Sequence, residues 1–192
     1  MNTTRAKIIN ASIELFNEHG TAKISTNHIC EYLSISPGNL YYHFRSKDEI
    51  IVSIFQKMIE QWESTPVPAD PALQNLFFMY EQTLDFLWNY RFIHREINSL
   101  FHGIESFKKI FKEAQKRRLK DIQNFINLYS HAGILKKMNT EEIHILTRTI
   151  WFFSLYWISY LETEGKKIDH KTIQNSVHIL KNIVQPYIIK GI

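Results

Sequence analysis

Apolar residues recur every three or four positions along nearly the whole chain, the spacing of one face of a helix. The first such stretch predicts a helix from Thr4 to His19, with Ile8, Ile9, Ile13, Leu15 and Phe16 inward and Gly20 just past its end. Two short pieces follow. Ser25–Leu33 opens on a capping oxygen and places Ile29, Cys30 and Leu33 on one face. After the corner Ser34-Ile35-Ser36, a second piece starts with Ser36 as cap and Pro37 at the first helical position, where a missing N–H costs nothing. Ser46 and Glu49 form a capping box that starts a fourth helix, running to about Glu63 with Ile50, Ile51, Ile54, Phe55, Met58, Ile59 and Trp62 spaced for burial. Pro66, Pro68 and Pro71 then break the pattern. The expected division is an N-terminal three-helix domain at 1–47, a linking helix at 48–63, and a second domain that takes in that helix and spans 48–192.

The larger part reads as a helical bundle. Asp70 and Pro71 are the expected cap and first residue of a helix to Tyr90, with Leu73, Leu76, Phe77, Tyr80, Leu84 and Leu87 as its stripe. A segment through Ile93, Ile97, Leu100 and Ile104 follows, then one through Phe107, Phe111, Ile122, Ile126 and Tyr129, closed by Gly133. Thr140 with Glu141 and Glu142 starts the next helix, acids at its N-terminus suiting the dipole. Its later part, Thr149–Leu161, is apolar nearly all round, so it needs two apolar contacts rather than one. The last helix, Asp169 to about Ile189, offers Ile173, Val177, Leu180, Val184 and Ile188. Spare apolar surface on two helices predicts a symmetric four-helix dimer interface built from Trp157, Leu161 and those five residues. The fold class is therefore all-α.

The two short pieces and their corner form the unit that lays its second helix in a DNA major groove. Leu40 and Phe44, four apart, pack inward, while Asn39, Tyr41, Tyr42 and His43 point elsewhere. Tyrosine and histidine donate to phosphate oxygens, Asn39 reaches base edges, and Gly38 lets the backbone approach the duplex. Lys47 lies beside the opening N–H groups of the fourth helix, a natural phosphate clamp. The expected DNA-contacting set is Thr4, Arg5, Ser25, Thr26, Asn27, Ser36, Pro37, Gly38, Asn39, Tyr41, Tyr42, His43 and Lys47. An aromatic-rich helical hairpin packed in a bundle is the bland alternative.

From Arg5 to Ile51 the chain resembles the DNA-binding domain of the TetR family of repressors. Ile8, Ala11, Leu15-Phe16 and Gly20 match its first helix, Ile29 its second, and Leu40-Tyr41-Tyr42-His43-Phe44 with Lys47 its recognition helix and clamp. Ser34 departs from the usual corner glycine and carries backbone strain if the corner keeps its shape. Cys30 replaces the usual alanine. The run Tyr90–Leu100 is similar to a subset of the same family. The resemblance implies a homodimer on a pseudo-palindromic double-stranded operator, released by a small-molecule inducer.

Composition narrows the field. One cysteine excludes an internal disulfide framework and fits a cytoplasmic protein. No signal peptide is expected at Met1, and the longest apolar run, Ile150–Leu161, falls short of the roughly 20 residues that span a bilayer. The net charge of +4 argues little, because residues 1–60 hold six basic and six acidic side chains. Placement matters instead, with Arg5, Lys7, Lys23, Arg45 and Lys47 expected on the groove side. The basic run Lys108, Lys109, Lys112, Lys116, Arg117, Arg118 and Lys120 fits a solvated helix face or an anion-attracting one.

No Gly-rich phosphate loop, HExxH, cysteine pair or Gly-x-Ser-x-Gly elbow occurs, so neither an enzyme nor a cofactor is expected. His94 and His102 lack a third convergent metal ligand. A cavity between bundle helices is expected to use Trp62, Phe86, Trp88, Phe101, Phe107, Trp151 and Tyr156 as walls and His94, His102 and Arg148 as polar handles, against ordinary packing of each. The leading expectation is a one-component transcriptional repressor responding to an apolar or aromatic effector. A same-fold regulator answering to a protein partner, and a helical enzyme or lipid carrier, remain open. Salt-dependent retardation of duplex DNA separates the first two from the third, because phosphate contacts release counterions.

Overall fold

The computed structural model describes residues 3–64, 71–165 and 169–189; the expected cap Asp70 and the prolines at 66 and 68 lie outside this range. The described residues are helical, apart from turns and one isolated bridge, Leu135 with Ile188. None of their helices is long and apolar enough to cross a membrane. They fall into two compact units, Met1–Thr65 with Asn89–Lys112, and Pro66–Trp88 with Glu113–Ile192.

In the first unit α1 (Thr4–His19) is capped by Thr3 Oγ1, which accepts from Ala6 N at 3.3 Å. It ends where Gly20 turns to φ 80° and donates to Phe16 O. α2 (Thr26–Leu33) starts in a reciprocal cap: Ser25 Oγ accepts from His28 N, and His28 Nδ1 accepts from Ser25 N. α3 (Pro37–His43) has Ser36 as its cap, and α4 (Lys47–Glu63) has Ser46. The box expected from Ser46 and Glu49 is shifted by one residue. Ser46 accepts from Glu49 N, but the Glu49 carboxylate accepts from Arg45 N at 2.7 Å.

Ile8, Phe16, Ile29, Leu40, Phe44, Ile50 and Ile54 form the interior of this unit. Lys57 ties α4 to α1 through Asn10, at 2.9 Å. The segment read as one stretch from Ile93 to Ile104 is two helices, α6 (Arg91–Arg95) and α7 (Ile97–Gly103), broken at Glu96. Phe92 lies against Phe16, and Phe107, Phe111 and Phe55 pack together. The compact unit thus extends well past residue 47, taking in α4 and Asn89–Lys112.

The second unit is built from α5 (Leu73–Asn89) up to Trp88, the part of α8 (Glu105–His131) from Glu113 onward, α9 (Thr140–Thr163) and α10 (His170–Val184). Tyr80, Leu84, Ile126, Tyr129, Leu146 and Leu180 meet in its core. α9 starts at Thr140 as expected, capped by Asn139 and reciprocated by Glu142. α10 stops at Val184 and passes into a short tight turn, Gln185–Tyr187, because Pro186 has no N–H to continue it. Beyond it the chain is extended and bonds to the α8–α9 loop through Lys136 N to Tyr187 O and Ile189 N to Ile134 O.

Ser34 has φ 54° and ψ 43°, and it is the one non-glycine with positive φ among the described residues. Its N–H closes α2 onto Cys30 O and Glu31 O. A side chain in that conformation costs about 1–2 kcal/mol. Ser34→Gly is therefore expected to raise the thermal midpoint by a few degrees, the equivalent of about 1 kcal/mol, and Ser34→Val to lower it. An unchanged or lower midpoint for the glycine variant in thermal unfolding would refute the strain.

Candidate nucleic-acid interface

α3 has only seven residues, too few to be stable alone. Its position comes from two anchors: Leu40 is fully buried and Phe44 is 1% exposed. Between them Tyr41 and Tyr42 face out and His43 is half-buried. Tyr42 is 84% exposed and Tyr41 49%, and His43 stands edge-on to Tyr42 with ring centroids 5.0 Å apart. Asn39, Gly38, Pro37 and Ser36 are exposed too. A short helix offering two phenols, an imidazole and an amide to solvent is a donor array suited to phosphates and base edges.

The neighbouring helix supplies support. Thr26 Oγ1 and the Tyr41 hydroxyl are 3.1 Å apart, which fixes the Tyr41 ring against the start of α2. Ser25 and Asn27 are exposed beside it. Ser25 and Ser36 each spend a side-chain oxygen on capping, so either would meet a phosphate through its remaining lone pair or its O–H. Thr4 is half-buried. Arg5 is pinned, its guanidinium 4.7 Å above the Phe44 ring and donating to Ser53 Oγ at 3.1 Å.

Lys47 departs most from the sequence picture. Its ammonium donates to Thr21 O at 2.7 Å and Ile24 O at 3.1 Å, which leaves one of its three donors for anything else. Lys23 and Arg45 are exposed. Glu14 is engaged away from them, accepting from the Tyr32 hydroxyl at 2.7 Å and pushing that phenol's pKa up.

Gly38 deserves a physical reason of its own. A Cβ built there would meet nothing nearer than Ser36 Oγ at 3.9 Å, so packing within the protein does not require glycine. A glycine at an open site on an exposed helix leaves room for the backbone to be approached closely from outside.

The residues expected to wall a ligand cavity do not behave as one set. Trp62, His94, Phe101, His102 and Phe107 belong to the first unit, and Phe86, Trp88, Arg148, Trp151 and Tyr156 to the second. Phe107 is fully buried between Phe55 and Phe111, and so is core packing. His102 and Arg148 are exposed, which corrects their reading as handles inside a cavity. No group of three metal-ligating side chains occurs among the described residues. A groove of about 430 Å³ opens in the first unit between Glu14, Leu15, Asn17, Glu18, Tyr32 and Arg91, none of which was expected to bind a ligand.

The expected dimer residues also need correction. Leu161, Val177, Leu180 and Val184 are buried within the second unit, so they have no surface to offer. Trp157 is half-buried and stacks on Phe153 at 4.6 Å. Ile188 lies beyond the helix, half-buried and bridged to Leu135, and the side chain of Ile173 lies outside the described residues. The exposed apolar residues of α9 and α10 are Ile145, Phe152, Tyr160 and Ile179. The error has one source: a helical stripe looks the same whether it faces a core or a partner.

Sequence reasoning also missed what Asn17, Thr21, Arg95 and Glu96 do. Asn17 donates to Asn89 O at 2.8 Å and accepts from Phe92 N at 3.1 Å, and Arg95 donates to Phe16 O at 3.3 Å. Glu96 accepts from both the N–H and the hydroxyl of Thr21. Arg95 and Glu96 each reach the end of α1.

In the basic run, Lys108 lies 3.3 Å from Glu105 and Arg118 lies 3.5 Å from Asp121, each three residues along the same helix. Burial lowers the Arg118 pKa to about 10 while Asp121 pulls it back up. Lys109, Lys112, Lys116, Arg117 and Lys120 are exposed, as on a solvated helix face.

Comparison with known proteins gives two family matches. Residues 8–54 match the model described as bacterial regulatory proteins, tetR family, and residues 54–190 match the one described as bacterial transcriptional repressor. The chain is 47% identical over 51 residues to the HTH-type transcriptional regulator UidR of Escherichia coli K12, covering 27% of this chain and 26% of that protein. It is 30% identical over 80 residues to the HTH-type transcriptional regulator QacR of Staphylococcus aureus Mu50, covering 40% and 42%. These matches span a quarter to under half of the relatives' lengths. A crystal structure of a TetR-family transcriptional regulator from Marinobacter aquaeolei VT8 superposes with a TM-score of 0.87 at 31% identity, covering 98% of this chain and 92% of that one.

Two outcomes are expected if α3 meets a duplex. Gly38→Ala should hold or raise thermal stability, by up to about 1 kcal/mol, yet weaken DNA binding. Tyr42→Phe should weaken binding by about 1 kcal/mol on every sequence, whereas Asn39→Ala should relax base preference at one position by about 1–3 kcal/mol. Fluorescence anisotropy on duplexes of varied sequence measures both, and undiminished affinity in all three variants would remove α3 from the interface.

Proposed function

Because the chain belongs to the TetR family of bacterial transcriptional regulators, we propose that it is a DNA-binding repressor acting as a homodimer on a pseudo-palindromic operator and released by a small effector. The observation that carries this reading is the exposure of Tyr41 and Tyr42 on a helix anchored in the core by Leu40 and Phe44. An interior role for those rings would need them covered. Two such helices related by a twofold axis read half-sites about one helical turn apart.

The pairing surface is argued from α9. Ile145, Phe152 and Tyr160 are exposed, with Tyr156 half-buried against Phe152 at 5.2 Å. Their spacing of seven, four and four residues puts them on one side of the helix. Ile179 of α10 is exposed as well. An aromatic face of this kind on a charged protein favours a second copy as its cover.

Support for an effector comes from the same helix's other side. Thr147 is 1% exposed, and its hydroxyl has no hydrogen-bond partner among the described residues. Nor have the buried indole nitrogens of Trp151 and Trp157. Each unsatisfied group costs about 1–3 kcal/mol, so an apolar molecule carrying acceptor oxygens gains by meeting them. To act as an inducer it must bind the DNA-free form more tightly than the DNA-bound form.

Phe152→Glu should convert a dimer to a monomer in sedimentation and weaken operator binding by more than about tenfold through loss of the second half-site. A variant that stays dimeric would move the interface elsewhere. Aromatic ketones tested by thermal shift should give a saturable rise in the midpoint that Trp151→Phe reduces; a rise unaltered by that substitution would relocate the site.

A further inference from the structure

Glu96 sits at the break between α6 and α7, with φ −109° and ψ 14°. Its carboxylate wraps Thr21, one oxygen accepting the Thr21 N–H at 2.8 Å and the other the hydroxyl. Thr21 is 8% exposed, so this is a sheltered, charge-assisted contact rather than a surface one. The residue before it makes room. Gly20 has φ +80°, and a Cβ there would stand 3.0 Å from Glu96 Oε1. The other side of the Thr21 residue then holds Lys47, whose ammonium donates to Thr21 O at 2.7 Å and to Ile24 O at 3.1 Å. Lys47 opens α4, four residues after the end of α3.

These contacts form an unbroken polar chain, from carboxylate through Thr21 to ammonium, all within the first unit. We propose that Glu96 is a positioning residue for duplex binding: by fixing Thr21 it sets where the Lys47 ammonium stands beside the recognition helix. The proposal rests on the DNA-binding reading above. With two of its donors held by carbonyls, Lys47 presents its third in a fixed direction, ready for one phosphate oxygen. Without Glu96 the α1–α2 loop loses the group that fixes its peptide, and the ammonium loses its aim.

The sign of the effect separates this from bulk electrostatics. Removing a carboxylate from a DNA-facing unit should tighten binding through net charge alone. Positioning predicts the reverse. The probe is a duplex enriched by the wild-type chain from a randomised double-stranded library. Against it, Glu96→Ala should weaken binding about fivefold, the net size of one ordinary hydrogen bond, and flatten the salt dependence by about one released counterion. Glu96→Gln keeps an acceptor for the Thr21 N–H and should stay within about twofold of wild type. In a Lys47→Met background Glu96→Ala should cost nothing more, whereas a general loosening of the fold would weaken both backgrounds alike.

Equal or tighter binding by Glu96→Ala, or an equal loss in both backgrounds, overturns the proposal. Should Glu96→Ala not fold, the nearly isosteric Thr21→Val decides: it removes the hydroxyl arm, and the expected loss is again confined to the Lys47 background. A wild-type chain that enriches no duplex overturns the DNA-binding reading itself; one that enriches a duplex while Glu96→Ala binds it undiminished overturns the positioning role alone.

Discussion

A helix of seven residues forms too few internal hydrogen bonds to offset its own ordering, and that constraint shapes the first unit. α3 exists because Leu40 and Phe44 are buried at its middle and end, and because Ser36 and Pro37 settle its first turn. Both anchors are needed. The residues between them make no contribution to the core, which leaves their chemistry free for another purpose. An array of phenols, imidazole and amide held this way is rigid where it is attached and open where it is presented.

The rigidity is borrowed from further along the chain. Asn89–Lys112 packs with the N-terminal helices, and the contacts that join them at the end of α1 are polar as well as apolar. Phe92 fills space beside Phe16, while Asn17 satisfies the Phe92 N–H at the start of α6 and the Asn89 carbonyl at the end of α5, groups that helix termini would otherwise leave bare. Polar contacts of this sort are directional. They fix a loop in one arrangement, whereas apolar packing alone tolerates several.

In the second unit one helix serves two surfaces. α9 buries Leu146, Leu155, Ile158 and Leu161 on one side and exposes Ile145, Phe152 and Tyr160 on the other. The nearly continuous apolar run from Ile150 to Leu161 is thus divided between an interior and an exposed face. The burial of Val177, Leu180 and Val184 in the core explains why α10's stripe, though apolar and regularly spaced, is not the surface left over.

Local chemistry was enough to place most helices. Thr3, Ser25, Ser36, Ser46 and Asp169 cap in this structure because an oxygen at that position meets an N–H two or three residues later, whatever lies elsewhere. The outward tilt of Tyr41 and Tyr42 was equally legible, since it follows from the four-residue spacing of Leu40 and Phe44. The sequence by itself therefore determined helix starts, the all-α class and which side of α3 is free. Only the tertiary structure decided that Val177, Leu180 and Val184 face a core, that the Lys47 ammonium is turned onto two carbonyls, and that Glu96 reaches Thr21 across 75 positions. The physical reason is range: capping and periodicity act within a turn or two, whereas burial and long-range hydrogen bonds depend on which helix arrives alongside.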